Sequence, residues 1–169
     1  MSRHITRCVQ LLFAGVLALP AAHALAQTTE RLQATFSVGH AFAQGQWETA
    51  DLHGAERNDM VIGRVPGMML NLSIPPRYTT PPHRVRIYLS LPQQTVLGLT
   101  GAGSLELSWQ TGGKFLPGTV RAGQRVVLYE GLADRSTLSD SISFQIRVSG
   151  SDIDLDRVDI EPIYEIEGL

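Results

Sequence analysis

Asp51, His53 and Glu56 form the first grouping along the chain whose residue types could do chemistry. An imidazole and a carboxylate two positions apart share one face of a strand, and both suit zinc. The spacing sets no third ligand, and His-x-His and cysteine pairs are absent, so these residues read as polar surface beside Gly54 and no metal is assigned to them. Asp152, Asp154 and Asp156 alternate with Ile153 and Leu155, offering the hard oxygens that calcium prefers. Arg157 stands where a calcium loop needs glycine, and Ile163 where it needs a bidentate glutamate. A solvated acidic strand face accounts for the same letters. The spacing leaves both readings of the three aspartates open.

Nucleophilic catalysis needs a base and an orienting group. Ser104, Ser136, Ser139 and Ser143 sit in no Gly-x-Ser-x-Gly elbow and beside no histidine. Gly101-x-Gly103 lacks the third glycine and the following helix of a dinucleotide site. Paired carboxylates for glycoside cleavage need only proximity in space, and nothing in the spacing favours a pair. The expectation is a protein without enzymatic activity and without a cofactor. Trp47, Tyr78 and Tyr129 are the aromatics that could stack on sugar rings. Tyr78 is the best contact residue of the three. It lies between Pro75-Pro76 and Pro81-Pro82, in a stretch expected to be an exposed, extended loop.

Period-two alternation dominates the elements that must position these groups. Val85, Ile87, Leu89 and Leu91 alternate with Arg84, Arg86, Tyr88 and Ser90; Leu105, Leu107 and Trp109 alternate with Ser104, Glu106, Ser108 and Gln110. The same pattern runs through Ile142, Phe144, Ile146 and Val148, and through Leu70, Leu72 and Ile74. Gly112-Gly113 reads as a hairpin loop, and Pro117-Gly118 and Ala122-Gly123 punctuate the next stretch of chain. No stretch after residue 26 keeps apolar residues at helical spacing for three turns. Seven or eight such strands predict an all-β, antiparallel, Ig-like β-sandwich with Trp109 as a core anchor. A small β-barrel is the alternative.

Residues 1–26 carry the pattern of an export signal peptide. Arg3, His4 and Arg7 precede the apolar run Leu11–Leu19. Pro20 ends it, and Ala24-Leu25-Ala26 offers a small-x-small cleavage site. The run is too short to span a bilayer. The three residues before Cys8, Ile5-Thr6-Arg7, do not match a lipoprotein motif, and cleavage removes this single cysteine. The mature chain is then free of disulfides, although its compartment permits them. Of the 14 Lys and Arg residues two leave with the signal, so 12 face 16 acidic residues, a formal charge of about −4. That balance speaks against nucleic acid and against an anionic membrane surface as partners. The expected destination is the periplasm, then the cell surface or the medium.

Residues 27–45 form an N-terminal extension ahead of the sandwich domain at 46–169. Leu32, Ala34, Phe36 and Val38 make one apolar face, and Arg31, Gln33, Thr35 and Ser37 the other. A terminal strand of this kind pairs equally well with its own sheet or a neighbour's, because main-chain bonds and alternate side-chain pockets do not distinguish the source. The sequence leaves cis and trans pairing open. Three features taken together resemble the fimbrial (pilin) subunits of bacterial chaperone–usher systems: this extension directly behind an export signal, a single all-β domain, and Gly150 upstream of Ile160-Glu161-Pro162-Ile163-Tyr164-Glu165-Ile166. Tyr164 stands further from the C-terminus than in the usual pattern.

The resemblance implies an incomplete Ig-like fold completed by a neighbour's donor strand, with other copies or related subunits, a periplasmic chaperone and an outer-membrane usher as partners. It places subunit binding on Leu32, Ala34, Phe36 and Val38. It places the chaperone on the last strand, around Gly150, Ile163, Tyr164 and Ile166. The expected role is a fimbrial or surface-polymer subunit contributing to adhesion. The alternative is a soluble periplasmic ligand- or carbohydrate-binding β-sandwich module that uses Tyr78.

Overall fold

The computed structural model describes residues 29–37, 44–47, 60–93, 96–97, 105–149 and 159–169. Along these run β1 (Glu30–Arg31), β2 (Gln33–Phe36), β3 (Gln44–Trp47), β4 (Met60–Ser73), the one-turn helix α1 (Pro76–Thr79), β5 (His83–Leu91) and β6 (Val96–Leu97). Next come β7 (Glu106–Thr111), β8 (Gly118–Arg121), β9 (Gln124–Ala133), β10 (Thr137–Ser149), β11 (Asp159–Ile160) and β12 (Ile163–Gly168). The expectation of an all-β fold with two antiparallel sheets holds. One sheet has the order β1-β12-β5-β9; the other has the order β2-β4-β10-β7-β8, with β3 also on β4. A small pair, β6 with β11, stands apart from both.

Alternation decides which side chains meet between the sheets. Val85, Ile87, Leu89, Leu128, Tyr164 and Ile166 point in from the first sheet. Leu70, Leu72, Leu107, Trp109, Val120 and Ile142 point in from the second. Trp109 is the core anchor its alternation predicts, 1% exposed, with its indole N–H donating to the Leu116 carbonyl at 2.8 Å. The hairpin expected at Gly112-Gly113 joins β7 to β8, and Gly113 takes a positive φ of 117° that a side chain would disfavour.

β4 is longer than the expected Leu70–Ile74 run. It begins at Met60 and pairs with β10 along its whole length. The register shifts between Ile142/Met68 and Phe144/Val65, so Pro66 and Gly67 form a bulge. A bulge tolerates a proline, which has no N–H for the ladder, and it moves the buried set from odd to even positions: Val61 and Val65 before it, Met68, Leu70 and Leu72 after it.

The chain passes between the sheets at both sides of the sandwich. On one side the Ala122–Gly123 turn carries it from β8 to β9, with Gly123 at φ 84° and its N–H donating to the Leu91 carbonyl at 2.6 Å. On the other, the step from β1 to β2 makes the same crossing within one extended run.

Candidate functional site at the N-terminal crossing

Leu32 is the residue at which the N-terminal run changes sheets. Before it, Glu30 faces Ile166 and Arg31 faces Glu165 on β12. After it, Gln33, Ala34, Thr35 and Phe36 face Ser73, Leu72, Asn71 and Leu70 on β4. The Leu32 N–H donates to the Tyr164 carbonyl at 2.7 Å, and its side chain is 5% exposed. Ala34 and Phe36 are half-buried and pack on the core, with the Phe36 ring edge-on to Phe144 at 6.4 Å between centroids. Ser37 closes the run: its N–H donates to the Met69 carbonyl at 2.9 Å, and its hydroxyl accepts the Met69 N–H at 3.0 Å.

No turn residue is needed at this step. Side chains alternate across a strand whichever neighbour its backbone bonds to, so Leu32, Ala34 and Phe36 keep facing the core while the hydrogen-bonding partner changes. Two ion pairs flank β1: Arg77 of α1 with Glu30, and Arg31 with Glu161 at 3.3 Å. Both are solvent-exposed, and such pairs contribute about 0–1 kcal/mol each. Apolar burial is larger, about 1.5–3 kcal/mol for a fully buried Leu or Phe. The run is therefore held mainly by Leu32 and Phe36.

Leu32, Ala34 and Phe36, expected as donor residues, are thus seated in their own chain. Val38 and Gly150 lie outside the described residues, as do Asp51, His53, Glu56 and the three aspartates 152, 154 and 156. Of the residues expected on the last strand, Tyr164 and Ile166 are buried in the core and Ile163 is half-buried. β12 is paired on both sides, with β5 along one edge and with β1 along the other. The Tyr164 hydroxyl has no hydrogen-bond partner among the described residues, and burial pushes its pKa well above that of an ordinary phenol.

Tyr78 requires a correction. The residues between the two proline pairs do not form an extended loop: Pro76 opens a helical turn, a position where its fixed φ and missing N–H cost nothing. The Thr80 N–H donates to the Pro76 carbonyl at 2.9 Å and closes that turn. This aims Tyr78 at the core, where it is 8% exposed, with the Arg77 guanidinium 4.9 Å above its ring. It offers no open aromatic face to a sugar.

Two polar groupings were not singled out by the sequence. Asp140 is buried on the inner side of β10. Its carboxylate accepts the N–H groups of Lys114 at 2.7 Å, Phe115 at 2.8 Å and Ser141 at 2.8 Å, which pins the β7–β8 loop. Burial pushes its pKa up, but those three donors and the charge of Lys114 outweigh burial and hold it below the usual carboxylate range. The signal was present in Leu138-x-Asp140-x-Ile142, an acid in step with apolar neighbours. The other grouping lies on the outer face of the first sheet. Arg86 bonds Glu130 at 2.7 Å, and the Tyr88 hydroxyl donates to Glu167 at 2.5 Å, with Arg125 stacked 4.4 Å over the Tyr88 ring.

Among the described residues no three His, Cys, Asp or Glu side chains come together as a metal site, and no helix is long and apolar enough to cross a membrane. No family model, no curated protein and no solved structure matches this chain.

Proposed function

We propose that this chain is an exported structural subunit that assembles by exchanging its N-terminal strand, as a fimbrial or similar surface-polymer component acting through association rather than catalysis. The observation that carries the reading is the crossing at Leu32. A short run near the start of the chain straddles both sheets and supplies Leu32, Ala34 and Phe36 to the core. Only two ladder pairs hold β1 and four hold β2.

Lifting this run out uncovers the β12 edge beside Ile166 and the β4 edge beside Leu70 and Leu72. The same run from a second copy restores every bond and contact, because the two strands are chemically identical. Exchange between copies then differs from self-pairing only in the path of the connecting chain and in protein concentration. An open-ended exchange, in which each copy gives its strand to the next, builds a fibre. The implied partners are other copies or related subunits, with a periplasmic chaperone to hold the vacant edge before assembly and an outer-membrane usher to export the product.

The test is Phe36→Asp in the mature chain, followed by light scattering over a range of concentrations. Charge at this half-buried position weakens the inserted strand wherever it sits, so the variant is expected to remain monomeric while the parent chain forms larger species. Unchanged assembly of the variant overturns the reading.

A further inference from the structure

The two outer faces of the sandwich differ in chemistry. The first sheet presents charged groups tied to one another: Arg86 to Glu130 and Glu167, and Arg84 to Glu130. The second sheet presents hydroxyl and amide groups almost without charge. Its rows are set by the register. Gln33, Ser73 and Thr137 stand abreast on β2, β4 and β10; Thr35, Asn71 and Ser139 form the next outward row. Further along, Ser143 stands beside Gln110, and Gln145, Ser108 and Thr119 form a row across β10, β7 and β8. Charge is confined to one end of the face, where Arg64 adjoins Gln145 and where Arg147, Glu106 and Arg121 form the last row.

Strands about 4.8 Å apart, with outward residues about 6.8 Å apart along each strand, make this a regular two-dimensional lattice of short polar side chains. Many are unspent. The side chains of Thr35, Asn71, Ser139, Ser143 and Gln110 make no hydrogen bond to another described residue. Hydroxyls and amides both donate and accept. Such a lattice matches a ligand that is uncharged and itself dense in hydroxyls, and away from the Arg64 end its rows carry no charge whose desolvation would oppose contact. Among the described residues a polyanion finds cations only at the Arg64 end of the face, and an apolar partner finds one large exposed hydrophobe, Met69, in the row it shares with Ser37 and Ser141.

We propose that the outer face of the β2-β4-β10-β7-β8 sheet is a contact surface for a neutral, hydroxyl-rich polysaccharide. The rows named here hold no aromatic side chain, so each contact is weak, and repetition of the face makes it effective. On a fibre every subunit presents the same face, and linked weak sites gain roughly 10²–10⁴ in avidity over one. The face exists in a single copy, so binding itself does not depend on strand exchange; the gain in avidity rests on the proposed assembly.

The test is affinity electrophoresis of the mature chain in native gels cast with dextran, mannan or a soluble β-glucan, and in gels cast with hyaluronate as the polyanion. Light scattering of each sample fixes its oligomeric state, so a failure to assemble is read separately from a failure to bind. At least one neutral polymer is expected to retard the chain, and hyaluronate is expected not to. In the double variant Ser139→Glu/Ser143→Glu the apparent affinity should fall by roughly tenfold or more. Ser90→Glu, on the outer face of the other sheet, should leave it unchanged. Free migration of the parent chain in all three neutral gels overturns the proposal. Equal retardation of the double variant, loss in Ser90→Glu, or retardation by hyaluronate alone does the same.

Discussion

The Leu32 N–H meets the Tyr164 carbonyl at 2.7 Å, and this bond joins the crossing residue of the N-terminal run to the last strand of the chain. Leu32 is also the most buried side chain of that run, at 5% exposed. Truncating it to alanine removes most of the apolar contact that spans the two sheets at this edge. Leu32→Ala should cost about 2–5 kcal/mol of stability, the range for large-to-small changes in a packed core, read by urea unfolding. A loss below about half a kcal/mol would show that the run contributes little to the core.

Trp109 and Gly118 face each other across the β7–β8 hairpin. A Cβ on Gly118 would lie 2.6 Å from the Trp109 indole, whose N–H is already committed to the Leu116 carbonyl. The Trp109 ring is 1% exposed and enclosed by the core. Gly118→Ala is expected to destabilise by about 1–3 kcal/mol through overpacking and to shift the Trp109 fluorescence as the ring is displaced. Unchanged emission and stability would contradict this packing.

Asp140 makes stability depend on acid. Its folded pKa lies below its ordinary value, so the folded state holds this proton less readily than the unfolded chain. The stabilisation is present above the unfolded value of about 3.9 and is lost as pH falls through the lower folded value. Asp140→Ala leaves the Lys114, Phe115 and Ser141 N–H groups without their acceptor and should cost about 1–3 kcal/mol at neutral pH. Near pH 2 the gap between the two proteins should narrow. A constant gap across that range would contradict the assigned role.

Tyr164 carries a hydroxyl that is buried without a partner among the described residues. Tyr164→Phe removes a polar atom and keeps the ring. The variant should be as stable as the parent or more stable, by up to about 1 kcal/mol, when compared by thermal unfolding. A clear loss of stability would show that the hydroxyl is hydrogen-bonded in solution.

Much of this architecture was legible in the residues. Alternation at 85–91, 105–109 and 142–148 marked strands and their buried sides, and Trp109 followed from its place in that pattern. What alternation does not encode is which edge a strand joins. Leu32, Ala34 and Phe36 read as one strand, whereas the extended run holds two, β1 and β2, in different sheets; the change of sheet at Leu32 leaves no mark because the side-chain period is the same on both sides of it. Pro66-Gly67 lay outside the expected strand, since proline and glycine punctuate strands more often than they bulge them. Tyr78 was misplaced because flanking prolines suggested an exposed, extended loop, whereas Pro76 instead starts a helical turn that folds the ring inward. Asp140 was readable from its apolar register but needed the distant Lys114 and Phe115 N–H groups to explain it. The neutral face of the second sheet needed the register, which brings Thr35, Asn71 and Ser139 abreast from three separate stretches of the chain.

The most direct test of strand exchange uses the pairing of Thr35 with Asn71 across β2 and β4. Both side chains lie on the outer side of the sheet, and the chain has no cysteine after Cys8. The double variant Thr35→Cys/Asn71→Cys, without residues 1–26 and oxidised at high protein concentration, reports by non-reducing electrophoresis whether each strand sits in its own sheet or in a neighbour's. Exchange predicts a ladder of disulfide-linked multimers that collapses to one band on reduction. A single monomer band, with both thiols consumed in an internal disulfide at every concentration, would contradict it.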